Sequence, residues 1–408
     1  MVSTIPLGFM SDHLSMRTVF YTCSGLQILG NMVYVLAPNA IVLILCRMVV
    51  GIGSATMSIC RAHVTRVTPK EQRTFHFAYL SALQFVGFAV LPGMGGVIAM
   101  WPETQGIVLN QFTYPGYIQI VLNLIAIGLL YYVYLDAPEQ TKDKKVKNKQ
   151  GEVRALPISA TTASNSANAT NATNGGVPNI ESQAEIGTNG SVQVYISAEE
   201  SQEEDKPDWY ALVICLFINL CFRGVVAELE TLASPFLMEQ FPISLSSAST
   251  VIGVLGFLGL GVYLSFRPLS DRISDRELII IGLVLNILGA SFLALVQAEV
   301  FPHSLWIYAL ALGLIWSLAY PLGQTAVLGL FSKILAGLPA GGMMGLFSAA
   351  GSLARVIFAM FSAFLWSYFG SNVVNIQMVI LSVLILALTG ISYSRLVPHA
   401  FQNPGMSR

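Results

Sequence analysis

Apolar residues run along this chain in ten blocks, each close to the roughly 20 residues that an α-helix needs to cross bilayer hydrocarbon. The blocks lie near 18–37, 40–62, 74–99, 115–135, 209–233, 247–266, 277–297, 304–330, 341–368 and 373–394. A shorter apolar piece before residue 10 reads as the last turns of one more helix. Between the fourth and fifth blocks the pattern stops. Residues 137–207 open with Lys142, Lys144, Lys145, Lys147 and Lys149, pass through a Ser/Thr/Asn/Ala tract and close on an acidic run from Glu199 to Asp205. Such a stretch buries too little apolar surface to order itself. It is expected to be a disordered linker between two helical bundles, 1–136 and 208–396, with a tail at 397–408.

Composition sharpens this picture. Charged residues make up 11% of the 408, against about 25% in a soluble chain, while apolar residues reach 54%. The linker alone holds 17 of the 43 Asp, Glu, Lys and Arg residues. The remainder cannot cover a water-facing surface, so the fold class is an all-α polytopic membrane protein. A net charge of −1 exerts no general pull on nucleic acid. The five cysteines sit in apolar blocks with no C-x-x-C spacing and read as small buried hydrophobes. No P-loop, H-E-x-x-H or G-x-S-x-G is present, so neither an enzyme nor a metal or cofactor site is expected.

Orientation follows from the basic residues. With one crossing per block, 17 of the 21 Lys and Arg fall on one side, in the linker or in short loops, and none falls in a loop on the other. The linker and C-terminus are therefore expected in the cytosol, where the sequons at Asn168, Asn171 and Asn189 would stay unmodified. The four remaining arginines, Arg47, Arg61, Arg223 and Arg355, lie within apolar blocks or at their ends.

An internal repeat relates the two halves. Ser11-Asp12-His13-Leu14-Ser15-Met16-Arg17 returns as Ser270-Asp271-Arg272-Ile273-Ser274-Asp275-Arg276, each copy in a short loop between two apolar segments. Parallel repeats joined by a linker on one side of the membrane describe a particular transporter architecture. Gly8 through Arg17 resembles the loop between helices 2 and 3 of the major facilitator superfamily, with Ser15 at the usual glycine. Arg47-Met-Val-Val-Gly51-Ile-Gly53 resembles that family's helix 4 signature. Pro92-Gly93-Met94-Gly95-Gly96 partly matches its antiporter motif, with Leu91 where glycine is usual. Within the superfamily the chain is similar to the ceroid-lipofuscinosis lysosomal membrane protein group. That similarity is carried by Arg47 to Arg61, Glu71-Gln72-Arg73-Thr74, Glu230, Tyr320-Pro321, Ser332 to Leu335 and the small residues Gly345 to Arg355.

The resemblance implies two pseudo-symmetric six-helix bundles working by alternating access, with the present blocks as family helices 3 to 12. Helix 1 and most of helix 2 would then precede Met1, and a piece without them is expected to insert poorly and not to transport. It also implies an endolysosomal membrane and a monomer, with a small molecule or ion, protons and the bilayer as partners. Helices 4, 7 and 10 line the central cavity in this family, which places three polar stripes around one space.

An ionised side chain in hydrocarbon costs a few kcal/mol or more, so such residues face protein or a wet cavity. On the fourth family helix Arg47, Gly51, Ser54, Ser58, Arg61 and Thr65 share one face, with the two arginines about 21 Å apart at 1.5 Å per residue. On the seventh, Asn219, Arg223 and Glu230 share another, and Pro235 is expected to end that helix. Glu230 is the expected buried carboxylate for proton coupling, whereas Glu228 points elsewhere, toward the lumenal surface. On the tenth, Ser317, Tyr320 and Gln324 form a third stripe. Four arginines against two glutamates favour an anionic solute. Arg355 reads as structural or gating, and the loop pairs Asp12/Arg17 and Asp271/Arg276 as cytosolic latches. An endolysosomal chloride channel and a non-transporting truncated form remain as rival readings.

Overall fold

Short polar residues start four of the described helices by accepting a backbone N–H that has no partner within the helix. The computed structural model describes residues 3–98, 113–134, 182–186, 192–196, 207–241, 245–301 and 304–396. Helix α1 spans Thr4–His13 and α2 Met16–Val35, the latter capped by Ser15. Asn39 caps α3, Ala40–Gly53, and a turn at Ser54–Ala55 separates it from α4, Thr56–Val67. Helices α5, Arg73–Ile98, and α6, Tyr114–Tyr132, complete the first half. Asp208 starts α7, Trp209–Gln240, by accepting from the backbone N–H groups of Tyr210 and Ala211. Then follow α8, Leu245–Leu264, the short α9, Phe266–Ser270, and α10, Asp275–Gln297, which opens with a full Ser274/Glu277 capping box. A continuous rod joins α11, Leu305–Gly313, through a π-helical turn at Leu314–Ala319 to α12, Tyr320–Ile334. The last two helices are α13, Ala340–Phe369, and α14, Ser371–Ile391. Only Gly370 separates them; its φ of +86° reverses the chain at no Cβ cost.

All ten predicted blocks are helical, with two departures inside them. The block at 40–62 is not one helix. Ser54 donates its hydroxyl to the carbonyl of its own Gly51 and so competes with the helical ladder. Pro235 does not end α7, which continues to Gln240. Proline removes one backbone donor, and packing on both sides holds the helix across that gap. Seven of the spans among the described residues are long and apolar enough to cross a membrane. Helix α2 is not among them, because Thr18, Thr22, Ser24, Gln27 and Asn31 dilute its apolar residues.

The helices, residues 1–137 with 206–408, form one unit, and 138–205 form another. In the second unit, where no order was expected, Ser182–Ile186 (β1) and Val192–Ile196 (β2) pair as an antiparallel hairpin with Ala184 opposite Val194. The lysine run, the sequons and residues 397–408 lie outside the described residues.

Between helices the close contacts are made by small residues, as in membrane bundles generally. Helix α1 crosses α13 where Gly8, Gly341 and Gly345 leave the backbones almost touching. Helices α10 and α12 meet at Gly282 and Gly323, where a Cβ on Gly282 would come within 2.8 Å of the Gly323 Cα. The ring of Phe222 from α7 fills the space over Gly323. Outward faces stay apolar and exposed, for example Leu122, Leu124 and Ile125 on α6 and Val383 and Leu384 on α14. Lipid, not water, is their natural solvent.

Candidate functional site

Helices α4, α7, α12 and α13 bring the predicted polar residues into two groups. Arg61 on α4 is buried and donates to Ser348 Oγ of α13 at 3.3 Å, while its Nε has no hydrogen-bond partner. Arg223 on α7 lies over Gly351 of α13, and its Nε is likewise buried without a partner. Tyr263 of α8 lies within electrostatic reach of both guanidiniums, and Tyr320 of α12 within reach of Arg61. Neither arginine is paired with a carboxylate among the described residues. One step away, Gln324 of α12 donates to Asn219 Oδ1 at 2.9 Å, and Asn219 donates to the Phe347 carbonyl at 2.9 Å. That chain ties α7, α12 and α13 together beside the arginines. Ser317, in the π turn, donates to the Leu255 carbonyl of α8 at 2.6 Å.

The upper part of the α3–α4 stripe does not join this group. Arg47 is exposed and stacks on the Tyr34 ring of α2 at 3.9 Å, a cation–π contact. The turn at Ser54 interrupts the helical phase between Arg47 and Arg61, and Ser54 and Ser58 spend their hydroxyls on carbonyls of their own chain, at Gly51 and Ala55.

The two glutamates of α7 exchange the places expected of them. Glu230 is exposed on its helix and ion-paired with Arg355 of α13, so it is not the buried carboxylate. Glu228 is, with no exposed surface and neither oxygen hydrogen-bonded. The reason is packing. α14 covers the face of α7 on which Glu228 lies, and only the fold shows which neighbour covers which face.

The latches also differ from the expected pairs. Asp12, at the end of α1, accepts from the backbone N–H groups of Gly341 and Gly342, both at 2.8 Å, at the start of α13. It is bridged by Arg66 at 2.5 Å, not by Arg17. In the second half Asp275, not Asp271, makes the crossing. It accepts from Thr74 Oγ1 of α5 at 2.9 Å and from Lys333 Nζ of α12 at 2.6 Å. Beside it Arg73 donates to the Ser332 carbonyl at 2.7 Å. Arg17 instead reaches the Tyr131 carbonyl at 2.7 Å and sits over its ring. Arg276 does the same at Tyr393, with the carbonyl at 3.2 Å and the ring centroid at 4.4 Å. The missed residues Arg66, Thr74, Asp275 and Lys333 all stand at helix ends, where charge and the helix dipole meet. Asp275, directly after the capping Ser274, carries that signal in the sequence.

Two halves with matching charged latches, small-residue crossings and buried cations between lipid-facing helices fit a multi-pass membrane transport protein. The comparisons identify which kind. The chain belongs to the Major Facilitator Superfamily, whose family pattern matches residues 1–341. It is 21% identical over 462 residues to major facilitator superfamily domain-containing protein 8 of Xenopus laevis, covering 98% of this chain and 82% of that protein. Among solved structures it resembles the human organic anion transporter MFSD10, with a TM-score of 0.67 at 15% identity over 95% of this chain and 80% of the other. The fucose:proton symporter of E. coli superposes with a TM-score of 0.64 at 14% identity, over 97% of this chain and 87% of the other. The fold is that of major facilitator transporters, and the chain is a multi-pass membrane transporter.

Proposed function

We propose that this protein carries a small anionic solute across an endolysosomal membrane by alternating access, as a monomer with its linker and C-terminus in the cytosol. The observation behind this reading is the Arg61/Arg223 pair, two largely buried guanidiniums with unpartnered Nε groups and, among the described residues, no carboxylate paired with them. Like charges in a low-dielectric interior repel each other and call for a counter-charge. A carboxylate or phosphate oxygen placed between α4 and α7 supplies it, with Ser348 and Tyr320 as neutral hydrogen-bonding neighbours. Asn219 and Gln324 hold the three surrounding helices in register. The organelle rests on the likeness to the ceroid-lipofuscinosis group.

The test is counterflow in proteoliposomes with labelled chloride, inorganic phosphate, succinate and tetraethylammonium. Saturable exchange of one of the anions, lost in Arg61→Gln, supports the reading. Preference for tetraethylammonium overturns the charge assignment, and large single-channel currents would show a channel in place of a carrier.

A further inference from the structure

The interior of the second half holds a carboxyl that the substrate arginines do not touch. Glu228 of α7 has no exposed surface, and both its oxygens lack a hydrogen-bond partner. The side chain facing it is Gln377 of α14, whose Oε1 is buried and equally without a donor. Further along the same α7–α14 interface Cys221 faces Ser382, which accepts from Asn286 Nδ2 of α10 at 3.1 Å. Asn286 Oδ1 is a further buried acceptor without a donor. The Gln377 amide is thus the polar side chain within reach of Glu228.

Among the described residues no cation is paired with Glu228. Arg223 is five residues back, about 140° around the helix at 100° per residue, and Arg355 of α13 is engaged by Glu230. On α14 Gln377 comes within reach, while Ser382 and Asn286 of α10 lie further along the interface beside Cys221, and none of the three titrates. α12 contributes Gln324 and Thr325, and Tyr263 of α8 and Tyr320 of α12 belong with the arginines. The titratable neighbours are Cys221 on α7 itself and Tyr308 of α11, one helical level further on. An ionised carboxylate so placed costs several kcal/mol that nothing returns. A neutral one gains a donor, and its O–H can satisfy the Gln377 oxygen. A cleft lined by Leu229, Phe236, Tyr308, Trp366, Asn375 and Met378 comes within one residue of both Glu228 and Gln377. It lies toward the end of this half away from Arg276.

We propose that Glu228 is a proton-binding site of the C-terminal half, separate from the Arg61/Arg223 group and loaded through that cleft. The proton sits on one Glu228 oxygen and is donated as a hydrogen bond to Gln377; it leaves only when α7 and α14 part enough to admit water. Coupling would then act through the packing of the half rather than through contact with the solute.

Infrared difference spectroscopy of the full chain reconstituted in lipid tests this. A protonated-carboxyl C=O band at neutral pH is expected in the wild type and in Glu230→Gln, and its loss is expected in Glu228→Gln. A band that persists in Glu228→Gln, is absent from the wild type, or disappears on adding sodium chloride at constant pH overturns the proposal. If Glu228→Gln does not fold, the wild-type chain is treated with dicyclohexylcarbodiimide, which attacks protonated carboxyls in apolar surroundings. Modification at Glu228 and not at Glu230 supports the site; an unmodified Glu228 overturns it.

Discussion

Asp12 and Asp275 are counterparts, each leaving its own half to accept hydrogen bonds at the start of a helix in the other. Asp12 meets the first N–H groups of α13 and is held by Arg66 at the end of α4. Asp275 meets Thr74 at the start of α5 and is held by Lys333 at the end of α12. The repeated loop sequence aligns Asp12 with Asp271, yet Asp271 is exposed and Asp275, one helical turn on, performs the contact. A carboxylate at a helix N-terminus is stabilised by the dipole as well as by the bonds.

Removing either latch should loosen the closure between the halves at that end of the helices. Asp12→Ala deprives two N–H groups and Arg66 of their acceptor, a loss of about 1.4 kcal/mol if the cap alone counts. That corresponds to about a tenfold rise in opening, read as faster maleimide labelling of Cys60, half-buried beside Arg61. Asp275→Ala should behave alike and Asp271→Ala should not. Equal rates in Asp12→Ala and wild type would contradict the latch.

For the anion proposed above as solute, Arg61→Gln should raise the KM by about tenfold or more, the effect of losing about 1.4 kcal/mol of charge-assisted binding. Arg61→Lys should recover part of it, since it restores the charge without the planar fork. Saturation curves of anion uptake measure both. Arg47→Gln, which breaks only a surface stack on Tyr34, should leave KM unchanged.

Glu230 and Arg355 stabilise α7 against α13 as a pair. Either single neutralisation, Glu230→Gln or Arg355→Gln, should destabilise the purified protein, and the double variant should recover part of the loss. A partly buried pair of this kind should show a coupling of about 1–3 kcal/mol. Thermal unfolding of the four proteins in one detergent closes the cycle; zero coupling would make the contact incidental.

Gly323 has no room for a side chain, because its added Cβ would enter the Phe222 ring. Gly323→Ala should cost about 1–3 kcal/mol. Adding Phe222→Leu should restore part of that by vacating the space, whereas Phe222→Leu alone should destabilise. The same unfolding assay decides.

Much of the fold was legible in the sequence, because twenty-residue apolar blocks and a charge-dense break need no tertiary knowledge. The site was legible only in part. Periodicity assigned Arg61, Asn219 and Gln324 to inward faces, and all three are buried. It could not say which neighbour covers each face, and so it exchanged Glu228 with Glu230. Nor could it see that Ser54 would turn its hydroxyl on its own backbone and break the helical phase, leaving Arg47 outside the group. The π turn at Leu314–Ala319 had one visible sign, Pro321, whose missing N–H loosens the ladder just behind it.

The fastenings within each half differ in kind from those between them. Arg17 and Arg276 grip a tyrosine at the far end of their own half, through its carbonyl and the face of its ring. Asp12 and Asp275 grip across the divide as charged acceptors of neutral donors, the first N–H groups of α13 and the Thr74 hydroxyl, while their ion partners Arg66 and Lys333 belong to their own halves. Added salt screens the ion pairs with Arg66 and Lys333 that orient those carboxylates, and leaves the hydrogen bonds across the divide in place. Raising ionic strength should therefore loosen the hold on each aspartate without parting the halves, because the crossing of Gly8 over Gly341 and Gly345 needs no charge to stay shut.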